Sequence, residues 1–399
     1  MKWEKKKLCE CTEYITDGDH QPAPKADKGV HFIKIKDIVN NQVSFDAQVY
    51  VPQEYYDNLP MERKPQKEDV LYTVVGSFGI PSYVQTDELF CFERNIALLH
   101  PNKDIEPRFL YYSLKNPAFY KGVEIVANGS AQKLIPLSKL KDLKILVPDK
   151  EAQRHIADIL SAYDDLIENN QKQIKLLEEA ARRLYKEWFV DLRFPGHENT
   201  KIVDGVPEGW SVYPFSSKVD IMSGGTPKTS IPDYYNGKIP FYTPKDSDGA
   251  FFAYKTQINI TEGGLKNCNS RLYPPKTVII TARGTVGKTT ILAVPMAMNQ
   301  SCYALKMKEN DAPYYLFFAL NNEIKALQTM ANGGVFNTII GKTFDSINIQ
   351  IPKDPLIYGF EKTVRPFMEQ IKNKLQANSK LVEARDRLLP KLMSGEVKV

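Results

Sequence analysis

The sequence predicts an α+β protein made by tandem duplication, in which two mixed α/β modules alternate with two long helices. Three observations carry that prediction: a self-similarity at an offset near 205 residues, stretches of short apolar runs punctuated by Gly and Pro, and two long stretches with almost no Gly and a heptad seam.

The repeat comes first because it dictates the architecture. Trp3 matches Trp210, and Phe32, Lys36 and Asp37 match Phe241, Lys245 and Asp246. Asp69-Val-Leu-Tyr-Thr-Val-Val-Gly76-Ser-Phe-Gly79 matches Thr277-Val-Ile-Ile-Thr-Ala-Arg-Gly284-Thr-Val-Gly287. Arg108-Phe-Leu-Tyr-Tyr-Ser-Leu-Lys-Asn116 then parallels Tyr314-Tyr-Leu-Phe-Phe-Ala-Leu-Asn-Asn322, Asn128-Gly129 parallels Asn332-Gly333, and Pro148 parallels Pro352. The offset drifts from about 209 to about 204, as short loop insertions would cause. In each copy the first part, residues 1–149 and 208–352, is rich in aromatic and β-branched residues, Gly and Pro, and runs such as Val278-Ile279-Ile280 read as strands between turns.

The second parts, residues 150–190 and 353–392, each read as one helix, with a linker at 191–207 and a tail at 393–399. Ile156, Leu160, Tyr163, Ile167, Asn170, Ile174, Leu177, Ala181, Leu184 and Trp188 step by four and three. Phe360, Val364, Phe367, Ile371, Lys374, Asn378, Leu381, Arg385, Leu388 and Leu392 repeat the stripe at an offset of 204. The expected arrangement is an antiparallel two-helix coiled coil with pseudo-twofold symmetry, and about 40 residues would span roughly 60 Å. Asn170, Lys374 and Asn378 either fix register from within the seam or simply face solvent. Pro366 should kink or start the second helix, and Pro390 should help to end it.

Composition narrows the function classes. At 399 residues there is room for two or three domains, and 42% hydrophobic with 25% charged residues argues against disorder. Five scattered cysteines form no CxxC pair, which points away from a disulfide framework or zinc cage and toward the reducing cytoplasm. Neither a secretory leader nor a membrane span is expected. A net charge of +5 permits nucleic-acid binding through local patches without requiring it.

Leu166-Ile-Glu-Asn-Asn-Gln-Lys-Gln-Ile-Lys-Leu-Leu-Glu-Glu179, with Tyr185-Lys-Glu-Trp-Phe189 and Arg193-Phe-Pro-Gly-His197, resembles the central region of Type I restriction-modification specificity (S) subunits. The tail Arg387-Leu-Leu-Pro-Lys-Leu-Met-Ser-Gly395 and the segment Met222-Ser-Gly-Gly-Thr-Pro-Lys228 are similar to other parts of that family. The resemblance implies that residues 1–149 and 208–352 are target-recognition domains, each reading half of a split site in double-stranded DNA. It further implies that the helices set the spacing and dock two methyltransferase (M) subunits, with restriction (R) subunits joining the complex. S-adenosylmethionine would then sit on the partner, with no cofactor in this chain.

No catalytic constellation stands out. Gly284-Thr-Val-Gly287-Lys288-Thr289 is similar to a P-loop, but Ala282 occupies the place of the first glycine and the repeat copy has no lysine. The chain offers Asn116-Pro-Ala-Phe119 and Tyr273-Pro-Pro-Lys276 where methyl transfer would need an Asn-Pro-Pro-Tyr type loop. Pro148-Asp-Lys150 reads as a helix start. The histidines (His20, His31, His100, His155, His197) show neither metal-ligand spacing nor a paired carboxylate. Candidate DNA contacts are loop donors: Lys25, Lys36, Ser77, Gln132 and Lys133 in the first module, and Thr226, Lys228, Lys245, Arg283, Lys288 and Asn337 in the second. Each could equally be a solvated side chain, and the turn at Gly284–Gly287 either approaches phosphate or is purely structural. The rival functions are an enzyme reading its own site and a coiled-coil adaptor without a DNA role.

Overall fold

The computed structural model describes residues 3–127, 134–330, 339 and 341–399. The chain divides into two compact units, Met1–Ile167 with Lys380–Val399 and Glu168–Ser379. Both divisions fall inside a long helix.

In unit one, besides a short hairpin of Ile38–Val39 with Gln42–Val43, the strands are β1 (Glu4–Lys7), β2 (Thr12–Asp17), β3 (Val30–Ile33), β4 (Tyr50–Val51), β5 (Val70–Thr73), β6 (Pro81–Tyr83), β7 (Phe90–Phe92), β8 (Ile96–Pro101) and β9 (Lys144–Val147). They form a four-stranded sheet β2-β8-β5-β6, a three-stranded sheet β4-β3-β7 and the pair β1-β9. Strands β5 and β8 are covered on both faces, and Val70, Leu71, Tyr72, Ile96, Ala97, Leu98 and Leu99 are fully buried. This is why they read as continuous apolar runs rather than alternating ones. Two helices follow, α1 (Pro107–Lys115) and α2 (Pro117–Ala127). Proline opens each, where its missing N–H is no loss.

Unit two uses β10 (Ser211–Pro214), β11 (Val219–Ser223), β12 (Tyr235–Tyr242), β13 (Phe252–Ala253), β14 (Asn259–Ile260), β15 (Val278–Thr281), β16 (Thr289–Leu292), β17 (Ala297–Met298), β18 (Cys302–Met307) and β19 (Asn348–Ile351). Its sheets are β11-β18-β15-β16-β13, β14-β12-β17 and the pair β10-β19. The two units share local topology. In both, the strand before the helix is the second of the main sheet, β8 between β2 and β5 and β18 between β11 and β15, and the small sheet contains one parallel pairing, β3 with β7 and β12 with β17.

Two helices extend through both units. The first, α3, spans Lys150–Tyr185 and continues as a π-helical turn over Lys186–Val190; the second, α5, spans Asp354–Ser394. The helix of unit two, Pro313–Met330, is α4. In unit one, Ile156 and Leu160 are buried in the same core as Leu389, Leu392 and Met393, with Leu388 packed against it. In unit two, Ile174, Ala181 and Tyr185 share a core with Phe360, Val364, Met368 and Ile371, against which Leu177, Leu184 and Phe367 pack. Ile167 is buried, whereas Tyr163 and Leu381 are half-buried. Asn170 and Asn378 are buried and bonded, Asn170 Nδ2 donating to Asn378 Oδ1 at 2.8 Å, while Lys374 Nζ reaches Asn170 Oδ1 at 3.4 Å. The solvent-facing alternative for these polar residues is thereby excluded. Arg385 forms an ion pair with Asp164, which also accepts from Tyr112 Oη at 2.9 Å.

Neither proline marks a helix boundary. Helix α5 already runs ahead of Pro366 from Asp354 and continues past Pro390 to Ser394. A proline inside a helix costs about 3 kcal/mol. Ile357, Phe360, Val364 and Met368 flank the first proline and Leu389, Leu392 and Met393 the second, all almost fully buried. Each such side chain contributes roughly 1.5–3 kcal/mol, so packing overrides the lost hydrogen bond. The stop signal is Gly395, at φ 75°, whose N–H bonds Leu392 O at 3.2 Å.

Candidate nucleic-acid interface

In unit two, four loops meet at one edge of the sheets. They follow β11, β12 and β15 and precede β18. Ser223 lies opposite Tyr303 and Thr281 opposite Cys302, which sets the ends of β11 and β15 on either side of the start of β18. Backbone bonds then lock the loops together: Gly225 N to Met298 O at 3.1 Å, Asn299 N to Tyr242 O at 3.0 Å, and Ala282 N to Ser301 O at 2.7 Å. Gly224 permits this closeness, because a Cβ there would stand 2.2 Å from Asn299 O.

Unit one repeats the arrangement with the loops after β2, β3 and β5 and before β8. Glu93 N bonds Ile33 O at 3.0 Å, Val74 N bonds Asn95 O at 2.9 Å, and a Cβ on Gly18 would stand 2.2 Å from Phe92 O. The turns after β5 and β15 also correspond. Thr73 Oγ1 donates to Ser77 O at 2.7 Å and accepts from Ile80 N at 3.0 Å; Thr281 Oγ1 donates to Thr285 O and accepts from Lys288 N at 3.0 Å. Gly76, Gly79, Gly284 and Gly287 all adopt positive φ, between 69° and 86°. Ile135 N and Ile339 N donate to Val74 O and Ala282 O, both at 2.9 Å.

The candidate contact residues fall on this framework unequally. Lys36 and Lys245 occupy equivalent 3-10 turns, Ile35–Asp37 and Pro244–Asp246. Ser77, Arg283 and Lys288 lie in the glycine turns, Thr226 and Lys228 in the loop after β11, and all are exposed. Thr285 Oγ1 donates to Pro244 O at 3.3 Å, which joins the Lys245 turn to the Arg283–Lys288 turn. Lys25 is not drawn into the cluster. Its neighbour Ala26 bridges Tyr50, beside the start of β3, whereas Lys36 follows that strand's far end. Gln132, Lys133 and Asn337 lie outside the described residues.

Acidic side chains at the edge are occupied by backbone donors, which leaves the cations facing outward. Asp246 accepts from Thr243 N at 2.8 Å and Gln257 N at 2.7 Å, Asp37 from Lys34 N at 2.9 Å, and Glu93 from Ile35 N at 2.8 Å. Among the described residues the side chains of Lys36, Lys228, Lys245, Arg283 and Lys288 make no hydrogen bond or ion pair. Exposed, unpaired cations of this kind, Lys36 in unit one and Lys228, Lys245, Arg283 and Lys288 in unit two, are suited to holding phosphate oxygens.

Sequence reasoning missed Arg94 and Gln300, which occupy matching places in the short loops before β8 and β18. The signal was present as Glu93-Arg-Asn95 and Asn299-Gln-Ser301, polar triplets before apolar strands at the repeat offset. It also missed carboxylates beside two histidines: His100 Nδ1 lies 2.6 Å from Asp69 Oδ1, and His20 Nε2 lies 3.1 Å from Asp17 Oδ2. Adjacent strands β5 and β8 bring His100 and Asp69 together, although they stand 31 positions apart in sequence. Among the described residues no cluster of three or more His, Cys, Asp or Glu could hold a metal ion, and no helix is long and apolar enough to cross a membrane.

Fold and loop edge together define a duplicated mixed α/β chain with exposed cations on a loop edge of each unit, Lys36 and Arg94 in the first and Lys228, Lys245, Arg283 and Lys288 in the second. The family model of the Type I restriction modification DNA specificity domain matches residues 1–179 and 207–378, and the chain belongs to that family. Among curated relatives, the Type I restriction enzyme MjaIX specificity subunit of Methanocaldococcus jannaschii is 29% identical, over 77% of this chain and 72% of the relative. The HindI specificity subunit of Haemophilus influenzae is 25% identical, over 92% and 94%. Among solved structures, the Type I restriction-modification S subunit from M. genitalium has the same fold, with a TM-score of 0.63 at 18% identity over 98% of this chain and 96% of that one.

Proposed function

We propose that this chain is the DNA-reading specificity subunit of a Type I restriction-modification complex, each unit reading one half of a bipartite target. The observation that carries the reading is the loop edge built twice from the same backbone bonds, each copy bearing its own exposed donors. Phosphate contacts would hold each unit in register while a few side chains reach base edges in the groove.

The two long helices act in this reading as an antiparallel coiled coil that relates the recognition domains by a pseudo-twofold and docks two methyltransferase subunits. Within unit two, the partners on α5 descend from Asn378 to Phe360 as α3 ascends from Asn170 to Tyr185, which supports an antiparallel pairing. In this reading the helices set the spacing of the two readers, and the gap in the target follows from that spacing. Methyl transfer belongs to the partner, where S-adenosylmethionine binds, and this chain is non-catalytic.

The test is to co-express the chain with its methyltransferase partner in a methylation-free host and to map modified bases by sequencing. A bipartite motif with a constant gap that disappears when this chain is omitted supports the reading. No modification from a soluble, assembled complex rejects it in favour of an adaptor without a DNA role, and modification without any partner rejects the non-catalytic assignment.

A further inference from the structure

The short loops before β8 and β18 each hold one exposed side chain at their middle, Arg94 in unit one and Gln300 in unit two. Each stands inside the ring of neighbouring loops. In unit one the ring is made by the turns at Asp19, at Lys36 and at Ser77, because Asp19 bridges Glu93, Ile35 N bonds the Glu93 carboxylate and Val74 N bonds Asn95 O. In unit two it is made by the loops of Thr226, Lys245 and Arg283, through the bonds of Gly225, Asn299 and Ala282 described above.

The backbone under each side chain is fixed on both flanks. Ile96 N returns to Glu93 O at 3.1 Å, and Cys302 N returns to Asn299 O at 3.3 Å. Gly18 and Gly224 let the first loop lie against this position at a distance that no Cβ would allow. A side chain on a rigid base in the middle of that ring, beside Lys36 in unit one and Lys245 and Arg283 in unit two, is placed to reach a base edge while those cations hold phosphate. Arg94 makes no hydrogen bond or ion pair among the described residues, so its guanidinium fork is free. Gln300 is held by one contact, its Oε1 accepting from the Thr226 hydroxyl, which orients the amide and leaves both Nε2 protons and a lone pair on Oε1 available.

We propose that Arg94 and Gln300 are the equivalent base-reading residues of the two units, Arg94 reading a guanine in one half of the target and Gln300 an adenine in the other. The inference rests on the specificity-subunit reading and deepens it. Arginine matches the two acceptors of guanine, O6 and N7; glutamine matches the N7 acceptor and N6 donor of adenine. The identical backbone bonds around two different side chains mean that the same position delivers different readouts.

The experiment is the mapping of modified bases by the co-expressed complex carrying Arg94→Ala, Arg94→Lys or Gln300→Ala, beside the unsubstituted chain. Arg94→Ala is expected to relax one guanine of one half-site, with modification of the original motif falling about tenfold to a hundredfold, while the other half-site keeps its sequence. Arg94→Lys, which keeps the charge but loses the two-pronged geometry, should not restore the guanine. Gln300→Ala should relax one adenine of the other half-site alone. The half that each variant leaves intact reports that the protein is folded and assembled. An unchanged motif with either alanine variant, full rescue by lysine, or equal loss at both half-sites would each overturn the assignment while leaving the specificity-subunit reading in place. Absence of any motif from the unsubstituted complex would overturn both.

Discussion

The turn after β5 and the turn after β15 have the same backbone and different surfaces. A buried threonine hydroxyl clamps each, two glycines at positive φ shape each, and the residue closing each is Ile80 in one and Lys288 in the other. The groups that make the turn are turned inward and repeat; those that could meet a ligand are turned outward and differ. Duplication of this kind keeps a presentation frame while releasing its display positions to vary, which two readers of different half-sites would need.

The largest expected effect comes from breaking the frame where loops touch. Gly18→Ala and Gly224→Ala each drive a Cβ to 2.2 Å from a backbone oxygen. Neither loop can relax by moving a flexible side chain, so each substitution should cost about 3 kcal/mol and abolish recognition of one half-site. Gly284→Ala is the contrast: its nearest neighbour is Pro244 Cβ at 3.6 Å, so only the strain of positive φ remains, about 1–2 kcal/mol. Denaturant unfolding of the variants measures the difference, and equal losses at Gly224 and Gly284 would count against a close-approach role for the first.

Next in size are the clamps. Thr73→Val and Thr281→Val remove the part-buried side-chain acceptor of Ile80 N and of Lys288 N, the latter keeping only a long bond to Thr285 O at 3.4 Å, and each loss should cost about 0.5–1.5 kcal/mol. The two substitutions should destabilise their units alike and accelerate hydrogen exchange at Ile80 N or Lys288 N, respectively. A response in one turn only would show that the frames are not equivalent.

A third comparison separates the units by pH. The long helices supply an acceptor to the first amides of the helix beside them: Gln153 Oε1 takes Glu106 N at 2.9 Å in unit one, and Glu361 Oε1 takes Tyr314 N and Tyr315 N at 2.8 and 2.9 Å in unit two. Gln153 is neutral at any pH, whereas burial pushes the Glu361 carboxyl up from 4.5 to about 7. Between those values the folded unit keeps a proton that the unfolded chain releases, so this residue makes unit two lose stability as pH rises from 4.5 to 7. Glu361→Gln keeps an acceptor and removes the charge. It should stabilise unit two by about 1–3 kcal/mol at pH 8 and by almost nothing near pH 4, read as thermal unfolding across pH.

What could be read from the sequence follows the same division. Strands such as Val278–Thr281, the repeat and the apolar heptad positions are written in local pattern, because burial of one face or both imposes a period. The interface was legible only as residue type on glycine-bounded loops. Lys245, Arg283 and Lys288 do lie together on the loop edge of unit two and Lys36 on that of unit one, but Lys25 lies off it, since which loops meet is decided by strand order rather than by any local signal. Arg94 and Gln300 were invisible for that reason, as was the His100 and Asp69 pair. Neither Pro366 nor Pro390 sets a boundary of the helix, because intrinsic propensity is a weak term beside a core that closes on both sides of it.

The smallest effect would sharpen the comparison most. If Lys288 holds phosphate and reads no base, Lys288→Ile, which copies the residue found at Ile80, should weaken DNA binding of the assembled complex evenly across sequences. It should also reduce the slope of log affinity against log salt by about 0.9, the contribution of one neutralised phosphate. The reciprocal Ile80→Lys should steepen that slope by a similar amount if the first turn lies equally near the backbone of the duplex. Neither should alter the modified motif, because a point charge on a phosphate carries no base information. A changed base in one half-site with Lys288→Ile would move the reading function outward from Gln300 to the rim. A slope that stays constant in both variants would place the glycine turns away from the DNA, and the shared clamp would then be a device of folding alone.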